Sequence, residues 1–309
     1  MTSAHSSASA RSEFRPFLIL VVLLGIVCAT ILSRWIDARR SPVDAKVEEE
    51  TLYLTGNTAR RMSLGFTGLI ADWYWMRSLQ YVGGKILSVP EDVQIDDLGQ
   101  LNLKLLAPLL DISTTVDPQF LEPYEYAAVV LPAVDVQEAI RITKKGIAAN
   151  PSAWRLYQQL GYIYWQQGNF EAAGEAYGRG AMIAGAPAWM EAMKARMAAA
   201  GGSRNTAREI YMRMYEESRD DQVKEMARRR LMQLDALDQR DVIQKVLVVY
   251  KERNGRCPAS WKDIAAVLRN FHLAIDDSGS PIDPAGAPYV LRTTDCTVEI
   301  DPNSEVPYK

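Results

Sequence analysis

The chain has 309 residues, 48% of them hydrophobic, with 35 Lys and Arg against 38 Asp and Glu and a formal net charge of −3. That near-balance excludes the strong basic excess of a dedicated nucleic-acid binder. Two histidines, His5 and His272, and three scattered cysteines, Cys28, Cys257 and Cys296, exclude a His-rich zinc site and a zinc cluster, and leave His272 as the only imidazole for hydrolytic chemistry in the folded part.

Residues 1–16 read as an N-terminal tail. The run FLILVVLLGIVCATILS, Phe17 to Ser33, carries no charge and continues to Ile36 if Arg34 snorkels to the headgroups. About 20 apolar residues cross a bilayer as a helix, and Trp35 suits the interface. A cleaved leader has an apolar region of only about 7–15 residues, no small-x-small site follows the run, and Cys28 follows Val27 where a lipidated cysteine requires a small residue. The expectation is an uncleaved, single-span anchor over 17–36 in an inner (cytoplasmic) membrane. Arg11 and Arg15 precede it, whereas Arg34, Arg39, Arg40 and Lys46 follow, a count that favours a cytoplasmic body. Residues 37–62 are charged with little periodicity and read as a linker.

LIADWYWMRSLQYVGG, residues 69–84, sets three aromatics in a row. On a helix of roughly Ser63 to Tyr81, consecutive residues turn by about 100°, so Trp73, Tyr74 and Trp75 point three ways and form no flat cofactor shelf. One stripe is Ile70, Trp73, Arg77 and Tyr81; another is Leu69, Met76 and Gln80. A helix apolar on several sides is buried on several sides, so the segment is expected in the core. Asp72 and Arg77 then read as capping or surface partners rather than an acid–base pair. After an insertion around Ser88-Val89-Pro90, LGQLNLKLLAPLLDISTTVDP forms the second helix of an early, degenerate pair ending at Asp117-Pro118.

From Phe120 onward the sequence repeats with a period of 34: Ala139, Ala173 and Ala207; Ala127, Gly161 and Ala195; Thr143, Tyr177 and Tyr211; Gly168 and Gly202. Counting back from Ala139 reaches Leu105 in the degenerate pair. Small residues at fixed phases are what closely packed helices need, because a bulky side chain there would push them apart. The central copy carries Leu160-Gly161, Tyr164, Gly168-Asn169-Phe170, Ala173 and Tyr177, and the preceding copy keeps Ala139 and a closing Pro151. On these residues the region resembles the tetratricopeptide repeat family, and the segment after the anchor is similar to membrane-attached bacterial repeat proteins. The resemblance implies a groove lined by the first helix of each repeat. Carried over by position, it gives Leu121 and Tyr124, then Arg155, Gln158, Tyr162 and Trp165, then Trp189 and Arg196. Tyr164 fills the family's core aromatic position, which leaves Tyr162 and Trp165 for the groove.

VKEMARRRLMQLDAL is an amphipathic capping helix with Val223, Ala227, Leu231 and Leu234 inward, and Arg228-Arg229-Arg230 a solvated face. Next, VIQKVLVVYKERNG is helical up to Gly255, CPASWKDIAAVL gives a short helix, and PIDPAGAPYVLRTTDCTVEIDP a turn and hairpin. With Asp283, Pro284, Gly286, Pro288 and Tyr289, this end resembles the tail of bacterial major pseudopilins, although Ala285 stands where an aromatic is expected. Asp276, Asp277 and Asp283 read as polar-turn residues, with calcium binding as the alternative. Cys257 and Cys296 are either two buried thiols or a disulfide staple in an oxidising compartment. The staple reading, taken against the charge count, sets the soluble body outside the cytoplasm.

The expectation is therefore a mostly α chain: a transmembrane helix at 17–36, a solenoid of about three to four helix pairs over 63–240, and a small α+β module over 241–309. Its expected role is a non-enzymatic, membrane-anchored scaffold or accessory subunit of a cell-envelope complex such as secretion or pilus machinery, binding a protein or peptide without cofactor or metal. The alternative is a hydrolase using the C-terminal acidic turn and His272.

Overall fold

The structure, a computed structural model, describes residues 22–35, 54–89 and 98–307. The chain divides into two compact units, Met1–Leu54 and Thr55–Lys309. In the first, residues 22–35 form a helix (α1) exposed along its whole length; residues 17–21 and 36 of the expected anchor lie outside the described residues. No helix among the described residues is long and apolar enough to cross a membrane.

The second unit is mostly helical, with one two-stranded sheet near its end. It begins inside the expected linker, with α2 at Gly56–Met62. Thr55 caps this short helix by accepting from the Thr58 amide at 3.4 Å. Gly56 approaches the next layer so closely that a Cβ there would stand 2.6 Å from Thr115 Cβ. The unit continues with α3 (Thr67–Leu87), α4 (Leu106–Val116), α5 (Leu121–Val130), α6 (Val136–Ala149), α7 (Trp154–Gln166), α8 (Phe170–Ala181), α9 (Trp189–Ala200), α10 (Arg204–Glu217), the 34-residue α11 (Asp221–Asn254) and α12 (Ala265–Asn270). Antiparallel β1 (Val290–Arg292) and β2 (Thr297–Glu299) follow, with Leu291 opposite Val298.

On α3 the buried stripe is Ala71, Tyr74, Ser78 and Val82, neither of the two stripes expected. Only Tyr74 of the aromatic trio is fully enclosed. Trp75 packs edge-to-face on Tyr126 at 5.2 Å, while Trp73, Leu69 and Met76 are exposed. The helix is apolar on opposite sides and meets α4 on one of them, so hydrophobicity alone misassigns the core face.

The 34-residue period appears as successive helix pairs α5/α6, α7/α8 and α9/α10. Ala127, Ala139, Ala173, Ala195 and Ala207 are fully buried, and Gly161 with them. Gly161 faces Tyr177, whose ring would lie 2.8–3.0 Å from any added Cβ. Three-residue turns within α7/α8 and α9/α10 force those neighbouring helices to run antiparallel. Gly168 and Gly202 supply the left-handed conformations there, φ +70° and +88°. One position later Asn169 caps α8, accepting from the Ala172 amide at 3.1 Å. Asp135, 34 residues earlier, caps α6 through Gln137 and Glu138. Tyr164 is only half-buried; the enclosed aromatic of α7 is Tyr157.

The α11 helix runs straight through the expected domain boundary at 240/241. Its first half covers α10 with Ala227 and Leu234. Asp235, Asp238 and Asp241, one helical turn apart, form a charged seam with Arg204 and Arg208 of α10. Its second half supplies Ile243, Val246 and Leu247 to the core of the C-terminal module, with Trp261, Leu268, Tyr289 and Val298. Gly255, left-handed at φ 67°, ends it. Trp261 Nε1 donates to the Tyr289 carbonyl at 3.0 Å, and the Gln244 side chain bonds Cys296 O and Val298 N.

A part-buried charge cluster fastens the degenerate pair to the first repeat. Lys145 Nζ donates to Asp111 Oδ1 at 3.1 Å and to the Thr114 hydroxyl at 2.9 Å, and Arg141 reaches Asp111 at 2.9 Å. Burial alone would raise the Asp111 carboxyl, yet Lys145 and Arg141 together hold it below the usual carboxylate range. A depressed folded pKa contributes stability that is complete above the unfolded value and is lost as pH falls through the folded one. Asp111→Asn should therefore cost about 1 kcal/mol or somewhat more at neutral pH. In thermal melts, the gap between wild type and variant should be full at neutral pH and shrink as pH falls below the usual carboxylate range.

Candidate protein-interaction face

The first helices of the pairs carry the expected groove residues. On α7, Leu156, Tyr157, Leu160, Gly161 and Ile163 point into the core, a spacing that leaves Arg155, Tyr162 and Trp165 outside the buried stripe. Two aromatic–cation clusters bridge α7 and α9. In one, the Tyr162 and Trp165 rings meet edge-to-face at 5.8 Å, and the Arg196 guanidinium stacks 4.9 Å over Trp165. In the other, Trp154 meets Trp189 at 6.2 Å, with Arg155 5.0 Å over Trp154. Tyr162 and Trp189 are 46% and 42% exposed, so both clusters offer aromatic surface beside a cation.

Of the remaining expected residues, Gln158 is half-buried on α7 and Leu121 half-buried on α5, outside the two clusters. Tyr124 does not line a groove at all. It is fully buried, its hydroxyl donating to the Thr114 carbonyl at 3.1 Å. The cause lies in α6: Gly146 leaves a space that the Tyr124 ring fills, and a Cβ there would come within 2.7 Å of that ring. Burial pushes the Tyr124 phenol up to about 12. Tyr177, beneath the Tyr162 cluster, is also pushed up to about 12, by burial first and then by Tyr162, with Arg196 opposing. Both phenols stay protonated across the physiological range.

Trp154 was not among the expected residues, although its place one residue before Arg155 marks the helix start. An opening of about 1000 Å³ lies on the other side of α9 from the clusters. Gly174 and Gly178 on α8 floor it, Glu171 and Glu175 line it, and Lys194 and Arg213 face them. Glycines four apart on α8 were the sequence signal for it.

In the C-terminal module Cys257 and Cys296 are joined by a disulfide, their Cα atoms 5.6 Å apart. Asp276 accepts from the Ser278 hydroxyl and the Ser280 amide, each at 2.7 Å. Buried Asp283 accepts from the Ala285 and Ala287 amides, each at 2.9 Å. These carboxylates thus organise turns, and among the described residues no three His, Cys, Asp or Glu side chains converge to hold a metal. His272 is exposed just beyond α12, in a left-handed conformation at φ 60°.

No protein-family model matches the chain, and no curated protein matches it. The face therefore rests on its own geometry. Tyr124→Ala should empty a core site and cost about 3–5 kcal/mol in denaturant unfolding, whereas Tyr162→Ala should cost about 1 kcal/mol or less. Equal losses would place Tyr162 in the core.

Proposed function

We propose that this chain is a single-span, membrane-anchored scaffold of the tetratricopeptide type. It holds a segment of another polypeptide across α7 and α9. The observation that carries the reading is the pair of aromatic–arginine clusters bridging these helices, Tyr162–Trp165–Arg196 and Trp154–Arg155–Trp189. Tyr, Trp and Arg dominate binding hot spots because they bury much area with little entropy loss and carry a polar or charged handle. Four rings and two cations suit an extended segment with apolar anchors and acidic residues between them. Helical repeats present such extended surfaces along their stack.

The uncharged run from Phe17 to Ser33 supports an anchor, and the disulfide supports a body in an oxidising compartment outside the cytoplasm. The partner is then another component of a cell-envelope assembly. The pseudopilin-like tail makes secretion or pilus machinery its natural setting.

The test is quantitative recovery of co-purifying polypeptides from detergent-solubilised membranes carrying a tagged full-length chain. Tyr162→Ala and Arg196→Ala should each weaken capture of the same polypeptide by about thirtyfold, the equivalent of about 2 kcal/mol. Gln167→Ala, on the turn, should leave capture unchanged. Undiminished capture by both variants would remove this face from the function.

A further inference from the structure

The outward side of α2 and α3 carries apolar surface that nothing in the second unit covers. Met62, Leu64, Phe66, Leu69, Trp73 and Met76 are all about half-exposed or more, with Leu64 at 87% and Phe66 and Leu69 near 70%. On α3, Leu69, Trp73 and Met76 fall at i, i+4 and i+7, one face of the helix. That face is opposite the buried stripe of Ala71, Tyr74, Ser78 and Val82. Leu87, five turns along, continues the same line and is also 87% exposed. Leu64 stands in the turn between the helices at φ 48°, a left-handed conformation that bulky residues rarely adopt. The turn thus thrusts Leu64 and Phe66 outward instead of folding them in. A contiguous apolar patch of this kind marks an interaction surface.

We infer that this face lies on the lipid bilayer, with Leu64, Phe66, Leu69, Trp73 and Met76 at the boundary between headgroups and acyl chains. Two observations select lipid as the occupant. The first is position in the chain. The inference rests on the proposed anchor ending at Ile36, and only residues 37–55 separate that end from α2. Even fully extended, they reach about 65 Å, so the patch is always held near a membrane surface, where a tether raises its effective concentration. The second is charge. Arg60 and Arg61 are exposed in the last turn of α2, and the Arg77 guanidinium stacks over Trp73 at 5.8 Å. Trp, Phe and Leu on one face bordered by arginines is the composition of helices that lie in the membrane interface, where the cations meet anionic headgroups. Asp72, exposed at the edge of the stripe, limits how deeply the helix sinks. It sets the helix on the surface rather than inside it.

The test uses the full chain with Cys28→Ser, reconstituted into vesicles of phosphatidylethanolamine and phosphatidylglycerol. Single cysteines at positions 25, 66, 69, 76 or 167 carry a nitroxide, and collision with oxygen and with a water-soluble nickel chelate is measured by spin resonance. Labels replacing Phe66, Leu69 and Met76 should collide more with oxygen and less with nickel, reversing the ratio seen at Gln167, which stays in water. Water-like ratios at all three would overturn the inference. So would shielding from both reagents, which means protein cover by a second copy, another protein or a segment of this chain. The label at Gly25 separates the two readings. Lipid-like collisions there with wet labels at 66–76 would sink only the docking face, while a wet label at Gly25 would sink the anchor whatever the other three show.

Discussion

The contact on which the stack depends is between a backbone and a ring. Gly161 on α7 lies so close to Tyr177 on α8 that no Cβ fits between them. Related contacts recur through the body: Gly146 against Tyr124, Gly180 against Tyr157 and Met190, and Gly56 against Thr115. Each lets two helices approach until a side chain from a neighbouring helix fills the gap left by an absent one. Interiors packed at crystal-like density have little room to rearrange, so these sites set the spacing of the layers. Gly146 and Gly180 are themselves 34 residues apart, as are the caps Asp135 and Asn169. The same chemistry therefore fixes both where each helix starts and how near it comes to its neighbour.

That spacing carries the two clusters. Trp165 and Arg196 sit on different helices, as do Trp154 and Trp189. Each stack forms only if α7 and α9 keep their separation. Rings pinned in this way lose little rotamer freedom when a partner arrives, which is how a rigid scaffold gains affinity. At the far end, the arginine–aspartate seam between α10 and α11 is partly exposed and adds modest energy. It fixes the direction of the long helix, whose second half is the inner wall of the disulfide-bonded module.

Much of this was legible in the sequence, because close packing leaves small residues with no substitute. Ala139, Ala173 and Ala207 mark the period in the sequence, and all three are fully buried. Gly255 ended the long helix where expected. What stayed hidden depends on partners distant in sequence. Tyr124 has the position of a groove residue, but its burial is decided by Gly146, 22 residues later. The buried side of α3 is chosen by α4, and an amphipathic count sees two apolar faces without knowing which one meets it. α2 was missed because seven residues, GNTARRM, carry too short a pattern. Of the six residues in the two clusters, the sequence nominated Arg155, Tyr162, Trp165, Trp189 and Arg196; Trp154 joins them only through a contact across helices.

The Gly161–Tyr177 approach is the determinant of the helix spacing, and a double-mutant cycle measures it directly. Gly161→Ala and Tyr177→Thr, the latter copying the residue at the equivalent position of the preceding pair (Thr143), would be compared singly and together by chemical unfolding. Gly161→Ala should cost about 1–3 kcal/mol in the wild type and much less beside Tyr177→Thr, a coupling of about 1 kcal/mol or more. The same cost in both backgrounds would mean that the ring and the glycine do not meet, and would contradict the packing on which the candidate face depends.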